Sequence, residues 1–300
     1  MMNVALQSIF YPESAMSILT INTVGIVGAG TMGNGIAQTC AAAGLHVVMV
    51  DISDEAVAKG LATIAGSLDR MIKKDKITAA DKSAILARIR GSTQYEDFKA
   101  VQLVIEAATE NYALKVKIVQ QLDALLAPEV LIASNTSSIS ITKLAAVTQR
   151  PDRCIGMHFF NPVPLMALVE IIRGLQTSDA THEAVHAMAI ALGKTPITVK
   201  NGPGFVVNRI LMPMVNEALF VLAEGVATPE DIDAGMTLGC NQPLGPLALA
   251  DMIGLDVCLA VMEVFLNEFG DSKYRPCPLL KELVAAGRLG RKTGQGVYTY

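Results

Sequence analysis

The chain has no CxxC pair, and its five cysteines, Cys40, Cys154, Cys240, Cys258 and Cys277, are odd in number and widely scattered. That pattern excludes a disulfide framework and reads as reduced thiols in a cytoplasmic protein. Lys and Arg are missing from the first twenty residues, which include Pro12 and Glu13. Residues 1–20 therefore fit neither a secretory signal nor a basic transit peptide, and read as a loose extension. Charge of either sign is absent from residues 14–50, a length that could span a bilayer. The same stretch holds six glycines and a strand-helix-strand pattern, which argues against a membrane span. A formal net charge of −4 leaves no basic excess, so nucleic acid and anionic membrane are excluded as main partners. With 51% hydrophobic residues, the 300-residue chain has core enough for two ordinary domains.

What is present starts with Thr23-Val24-Gly25-Ile26-Val27, a buried-strand pattern running into Gly28-Ala29-Gly30-Thr31-Met32-Gly33. A helix is expected over 34–43, ended by Gly44, and then a strand over 46–50 that delivers Asp51. A lone GxGxxG is weak, but strand, glycines, helix, strand and terminal acid in this order describe a dinucleotide-binding βαβ unit. Gly28 permits the tight turn, Gly30 the approach of a pyrophosphate to backbone, and Gly33 close helix-strand packing. Asp51 is placed to accept from ribose hydroxyls and to repel a 2′-phosphate. No Arg follows within the next few residues, so NAD is the expected cofactor rather than NADP.

The segment His158-Phe159-Phe160-Asn161-Pro162-Val163-Pro164 precedes the apolar run Val169-Glu170-Ile171-Ile172. Short strands are expected over 157–159 and 168–172, with the prolines forcing a turn centred near Pro164. His158 and Glu170 are then equidistant from the turn. Directly opposed residues of an antiparallel pair share a face, with Cβ atoms about 4.5–5.5 Å apart. The carboxylate can fix the tautomer by accepting from one ring nitrogen, leaving the other to take a proton as a general base does. A Glu within an apolar strand also demands such a partner, because an unpaired buried carboxylate is costly.

Beyond Asp51, Ser53 caps a helix with Asp54 and Glu55 in its first turn. Helices are expected to about Lys74 and over 79–90, before the next strand near 101–106. That interval is too long for a simple crossover and reads as a helical hairpin projecting from the sheet. Lys59, Arg70, Lys73 and Lys74 fall within about 100° of arc, beside Gly66 and Ser67. A basic stripe around small residues suits a phosphorylated ligand, and composition alone equally allows a solvated helix face. After a helix over 113–126, a strand over 130–133 carries Ser134-Asn135-Thr136-Ser137-Ser138 at its carboxyl end. Open α/β sheets bind ligands there, so these residues are expected near the nicotinamide, and Ser137 can also cap the next helix.

His182-Glu183-Ala184-Val185-His186 matches HExxH, yet residues 187–210 offer no His, Asp or Glu as a third ligand. It reads instead as an amphipathic helix capped near Ser178, with Val185, Met188, Ala189 and Leu192 inward, and no metal is expected. A last strand over 195–199 ends at Asn201-Gly202-Pro203-Gly204. Helices follow at about 205–224, 229–238, 246–269 and 278–286. The expected organisation is a Rossmann-type α/β domain over 21–200 and an all-helical domain over 201–300. The second is expected to serve the substrate and to form a homodimer.

In its ordered motifs the chain resembles the L-3-hydroxyacyl-CoA dehydrogenase family, especially bacterial 3-hydroxybutyryl-CoA dehydrogenases. The resemblance covers about residues 22–300. It rests on the glycine turn, 134–138, 158–162, Pro203-Gly204-Phe205-Val206-Val207-Asn208-Arg209 and Lys292-Thr293-Gly294-Gln295-Gly296-Val297-Tyr298. Val297 stands where the family usually has Phe. The resemblance implies His158 as base, Glu170 as its orienting partner, and Ser137 and Asn208 as substrate contacts. It places Asp51, Glu110, Lys115, Asn135, Asn161 and Lys292 around NAD, and Ser67, Lys74 and Lys59 at the phosphates of an acyl-CoA. The implied reaction is oxidation of a short-chain (S)-3-hydroxyacyl-CoA to the 3-ketoacyl-CoA and its reverse. Two other readings stay open. A gulonate-type dehydrogenase of a free hydroxy acid would not need the basic stripe. A non-enzymatic, crystallin-like NAD-binding protein would be expected to have lost one of His158, Glu170, Ser137 and Asn208, all of which are present.

Overall fold

The computed structural model describes residues 21–300, so the extension read at 1–20 lies outside the described residues. Strands β1 (Thr23–Val27), β2 (His46–Val50), β3 (Ile89–Ser92), β4 (Leu103–Glu106), β5 (Leu131–Ser134), β6 (Cys154–Phe159), β7 (Leu168–Arg173) and β8 (Thr195–Lys200) form one sheet. Their order is β3-β2-β1-β4-β5-β6-β7-β8. All neighbours are parallel except β6 and β7, which are antiparallel. Central strands β4 and β5 are buried at every position, as a parallel sheet covered on both faces requires. One face packs Ile26, Ile36, Met49 and Ile105 against helices, and the other packs Val27, Phe98, Leu122 and Ile132.

Strand order reverses between β1 and β4, which opens a crevice at their carboxyl ends. Helix α1 (Thr31–Ala42) leaves that end directly, three residues earlier than the periodicity predicts, because the glycine turn itself supplies its first turn. The arm consists of α2 (Asp54–Ile72) and α3 (Ala79–Ala87), with Ser53 capping the start of the first and a capping box at Thr78 opening the second.

Several expectations fail. The helix read over 229–238 stops at Ala234, and Ser140 rather than Ser137 caps the helix after β5. Arg90, read as helical, lies in β3, an edge strand paired with β2. An edge strand needs little apolar sequence, and Ile-Arg-Gly-Ser carries one buried hydrophobe, so the pattern of α3 hides it. Gly91 marks the close approach of α2, since a Cβ there would stand 2.3 Å from Val57. The helix read over 246–269 is likewise two, α9 (Pro246–Ile253) and α10 (Leu255–Phe269), broken at Gly254 with φ 107°.

After β8 the described chain is helical, from α7 (Val207–Ala223) to α11 (Pro278–Ala285), around Leu219, Leu247, Phe265 and Leu280. All five cysteines are free, and only Cys240 is exposed. Desolvation pushes the Cys40 and Cys258 thiols up to about 12 and Cys154 to about 11, so these three are unreactive at neutral pH.

Candidate functional site

The glycine turn is shaped by what its positions cannot hold. Gly28 has φ 99°, and a Cβ there would meet the Ala107 carbonyl oxygen at 2.8 Å. A Cβ on Gly33 would stand 1.8 Å from the Gly28 oxygen, whereas one on Gly30 meets nothing within 4 Å. Gly30 thus borders open space at the N-terminus of α1, where no side chain caps the helix. Such a terminus offers free N–H groups to an anion. Asp51 directly follows β2 and accepts from Ala29 N at 2.6 Å and Ile52 N at 2.7 Å. Asn34, which the sequence reading missed, donates from Nδ2 to the Gly30 oxygen at 2.7 Å and braces the turn. Met32 packs against the sheet core. The cradle fits a dinucleotide.

A groove of about 480 Å³ runs along this turn. Gly30, Thr31, Asn34 and Asp51 line one side, Asn161 and the following prolines another, and Lys59, Thr63, Ser67 and Arg70 of α2 a third. The arm therefore contributes to the same groove as the glycine turn. Lys74 lies past the end of α2, exposed, and is not among the lining residues. Thr63 takes its place, a residue the charge pattern could not single out.

His158 and Glu170 sit opposite each other in the β6-β7 register, and His158 Nδ1 lies 2.7 Å from Glu170 Oε2. His158 is 5% exposed and Glu170 0%. The other carboxylate oxygen accepts from the backbone N–H groups of Val206 and Val207, each at 3.0 Å. With Glu170 accepting on both oxygens, the imidazole carries its proton on Nδ1 and presents Nε2. Phe160 and Phe205 flank the ring, with centroids 4.6 and 5.6 Å away. Asn208 follows Val207 in the first turn of α7, so the helix that meets Glu170 also brings Asn208.

Neighbouring β5 ends in the loop that holds Ser137. Asn135 is buried and accepts through Oδ1 from Phe159 N at 2.9 Å, which ties this loop to the strand of His158. Glu110 Oε1 accepts from Thr136 Oγ1 at 2.6 Å and from Ser137 N and Ser138 N at 3.0 Å. Lys115 is buried. It is 1% exposed, and its Nζ donates to both oxygens of Glu106 at 2.7 and 2.9 Å and to the Ala108 carbonyl at 3.1 Å.

Lys292 pairs with Asp256 through both carboxylate oxygens, at 2.5 and 2.6 Å, and both partners are partly exposed. The tail motif around it is anchored by Asp251, which accepts from Val297 N and Tyr298 N at 2.9 Å. A Cβ on Gly296 would overlap that carboxylate, which explains the glycine. The HExxH segment lies on α6 (Asp179–Ala191), capped by Ser178 and burying Val185, Met188 and Ala189. His182 Nε2 pairs with Thr198 Oγ1 at 2.8 Å, and burial lowers its pKa. Among the described residues no three metal-ligating side chains converge, and no helix is long and apolar enough to cross a membrane.

Residues 23–202 match the family model described as 3-hydroxyacyl-CoA dehydrogenase, NAD binding domain, and residues 204–300 match the C-terminal domain of the same family. A 3-hydroxybutyryl-CoA dehydrogenase of Bradyrhizobium diazoefficiens is 52% identical over 93% of this chain and 96% of its own. One from Clostridioides difficile is 48% identical over 92% and 98%. The crystal structure of (S)-3-hydroxybutyryl-CoA dehydrogenase from Ralstonia eutropha shares the fold with a TM-score of 0.92 and 72% identity, over 94% of this chain and 99% of that one. With an NAD-binding glycine turn, and both family domains matched in order, this chain belongs to the 3-hydroxyacyl-CoA dehydrogenase family and is an NAD-dependent enzyme.

Proposed function

We propose that the enzyme interconverts a short-chain (S)-3-hydroxyacyl-CoA, with 3-hydroxybutyryl-CoA as substrate, and the corresponding 3-ketoacyl-CoA. The observation that carries this is the buried 2.7 Å contact between His158 Nδ1 and Glu170, which leaves Nε2 as a base. NAD supplies the hydride acceptor when bound. His158 Nε2 takes the proton of the 3-hydroxyl as hydride leaves C3, and Glu170 balances the imidazolium. In reduction the imidazolium returns that proton to the carbonyl oxygen. The Ser137 hydroxyl holds the substrate oxygen near His158, and Asn208 contributes an amide from the helical side. Asp51 takes the ribose hydroxyls, and Gly28, Gly30, Thr31, Gly33, Asn135, Asn161 and Lys292 surround the rest of the coenzyme.

The purified protein is expected to oxidise NADH with acetoacetyl-CoA faster than with free acetoacetate, and to prefer NADH to NADPH. Absorbance at the reduced nicotinamide band reads both comparisons. Equal rates with the free acid would overturn the CoA assignment, and a preference for NADPH would overturn the role of Asp51.

Lys59, Ser67 and Arg70 of the arm are read as partners of the CoA phosphates, supported by their place in the groove. Lys59→Ala and Arg70→Ala are expected to raise the KM for acetoacetyl-CoA with little change in kcat, because they remove binding common to ground and transition states. The increase should shrink at high salt. Lys74→Ala, outside the lining, should have the smaller effect. An unchanged KM at low ionic strength for Lys59 and Arg70 alike would make the stripe a solvated face. We also read the helical region as the contact of a homodimer, supported by exposed Ile210, Leu238, Met252 and Val257. Sedimentation equilibrium tests this.

A further inference from the structure

The turn that joins the two dyad strands forms one wall of the groove through Asn161, Pro162, Val163 and Pro164. It is a thin partition. A second cavity, of about 620 Å³, is lined from α1, the arm and residues 191–194, and Gln38 and Pro164 border both spaces. Backbone between two cavities has little packing to hold it, and within 161–167 only Val163 is buried. Val163 is seated on α1 where Gly35 has no side chain, since a Cβ there would stand 2.9 Å from the Val163 Cβ.

Lys194, one residue before β8, supplies the missing support. Its ammonium donates to the carbonyl oxygens of Val163 at 2.5 Å and Met166 at 2.8 Å, and among the described residues neither oxygen has another donor. The next residue continues the grip, with Thr195 N donating to the Ala167 oxygen at 2.8 Å. Lys194 is 9% exposed and pairs with no carboxylate among the described residues, and desolvation holds its pKa below the ordinary lysine value. A buried cation without an anion is costly, and here the two turn carbonyls offset that cost.

We propose that Lys194 is a positioning residue for the coenzyme: it clamps the turn through Val163 and Met166, and thereby sets the distance between Asn161 and the glycine turn across the groove. The dyad does not depend on this clamp, because the β6-β7 ladder itself holds His158 opposite Glu170. The inference rests on the reading of Asn161 as a coenzyme contact.

The test uses full-length Lys194→Met, Lys194→Gln, Lys194→Cys, Asn161→Ala and the double variant of Lys194→Met with Asn161→Ala. Readouts are NADH affinity by fluorescence titration, kcat with acetoacetyl-CoA at saturating NADH, and thermal melting. Lys194→Met is expected to weaken NADH binding about tenfold, the loss of one well-placed hydrogen bond, with kcat nearly unchanged. Lys194→Gln keeps a donor one atom short of the ammonium and should fall between, so it carries the comparison where Lys194→Met does not fold. In the Asn161→Ala background, Lys194→Met should add almost nothing. Lys194→Cys alkylated with 2-bromoethylamine regains an ammonium on a chain of lysine length and should recover the affinity that unmodified Lys194→Cys lacks. Wild type treated in the same way is the reference, because Cys240 is exposed. A lower melting temperature with wild-type NADH affinity in the Lys194 variants would make the lysine purely structural and overturn the proposal. So would a fall in kcat with affinity intact, or losses that add in full in the double variant. If Asn161→Ala alone bound NADH as wild type does, the reading of Asn161 would fall instead.

Discussion

His158→Ala is expected to lower kcat by roughly 10²–10⁴-fold, the contribution of a positioned general base, with NADH binding intact. The glycine turn and Asp51 lie on other strands, so a fluorescence titration should separate the two properties. Glu170→Gln is expected to be comparably slow, for a reason the hydrogen bonds make specific. One carboxylate oxygen faces the N–H groups of Val206 and Val207, and the other faces His158 Nδ1. An amide must put its oxygen toward the two N–H donors, which turns its NH₂ toward the ring. The imidazole then accepts at Nδ1 and carries its proton on Nε2, where the base is needed. A tautomer error of this kind costs about 10⁴-fold in the serine protease triad. In the double variant the losses should be far from additive, because one unit has been broken twice. Losses that simply multiplied would mean that the two residues act independently.

Gly33→Ala is expected to have the largest structural effect of any single methyl group added to the coenzyme site. Its Cβ would fall 1.8 Å from the Gly28 carbonyl oxygen, so α1 and the turn must separate. Forced overpacking of this kind destabilises by about 3 kcal/mol. A fall in melting temperature and loss of NADH affinity should appear together. Gly30→Ala is the contrast, since its Cβ meets nothing within 4 Å of the protein. It should melt like the wild type yet bind NADH more weakly, because the methyl group occupies space meant for the coenzyme. Normal affinity in Gly30→Ala would show that the pyrophosphate passes elsewhere. An unaltered melting temperature in Gly33→Ala would mean that the turn has slack.

Much of the architecture is legible because it is local. The glycine turn needs a residue without Cβ at Gly28 and Gly33 whatever surrounds it, and Ser53, Thr78 and Ser178 announce helices by satisfying amides three residues on. The His158–Glu170 pairing is legible for the same reason. A short turn between two strands fixes the register, and register alone makes the two residues opposite. An edge strand such as β3 leaves no comparable mark, because only one of its flanks is paired and its cover comes from Val57 on a distant helix.

The amino-acid sequence determined the βαβ unit, the strand pair that faces a histidine with a glutamate, and the helical region after Gly204, since each depends on contacts between near neighbours. Only the tertiary structure decided which charges meet the groove. Lys115 and Lys74 are both lysines of the expected pattern, yet one is buried against Glu106 and the other projects past the end of α2. Asp251, which carried no motif, holds the tail by three contacts. Long side chains are committed by whichever partners the fold brings within reach. A lysine buried with two carboxylates and a lysine in solvent read alike until the strands and helices that surround them are placed.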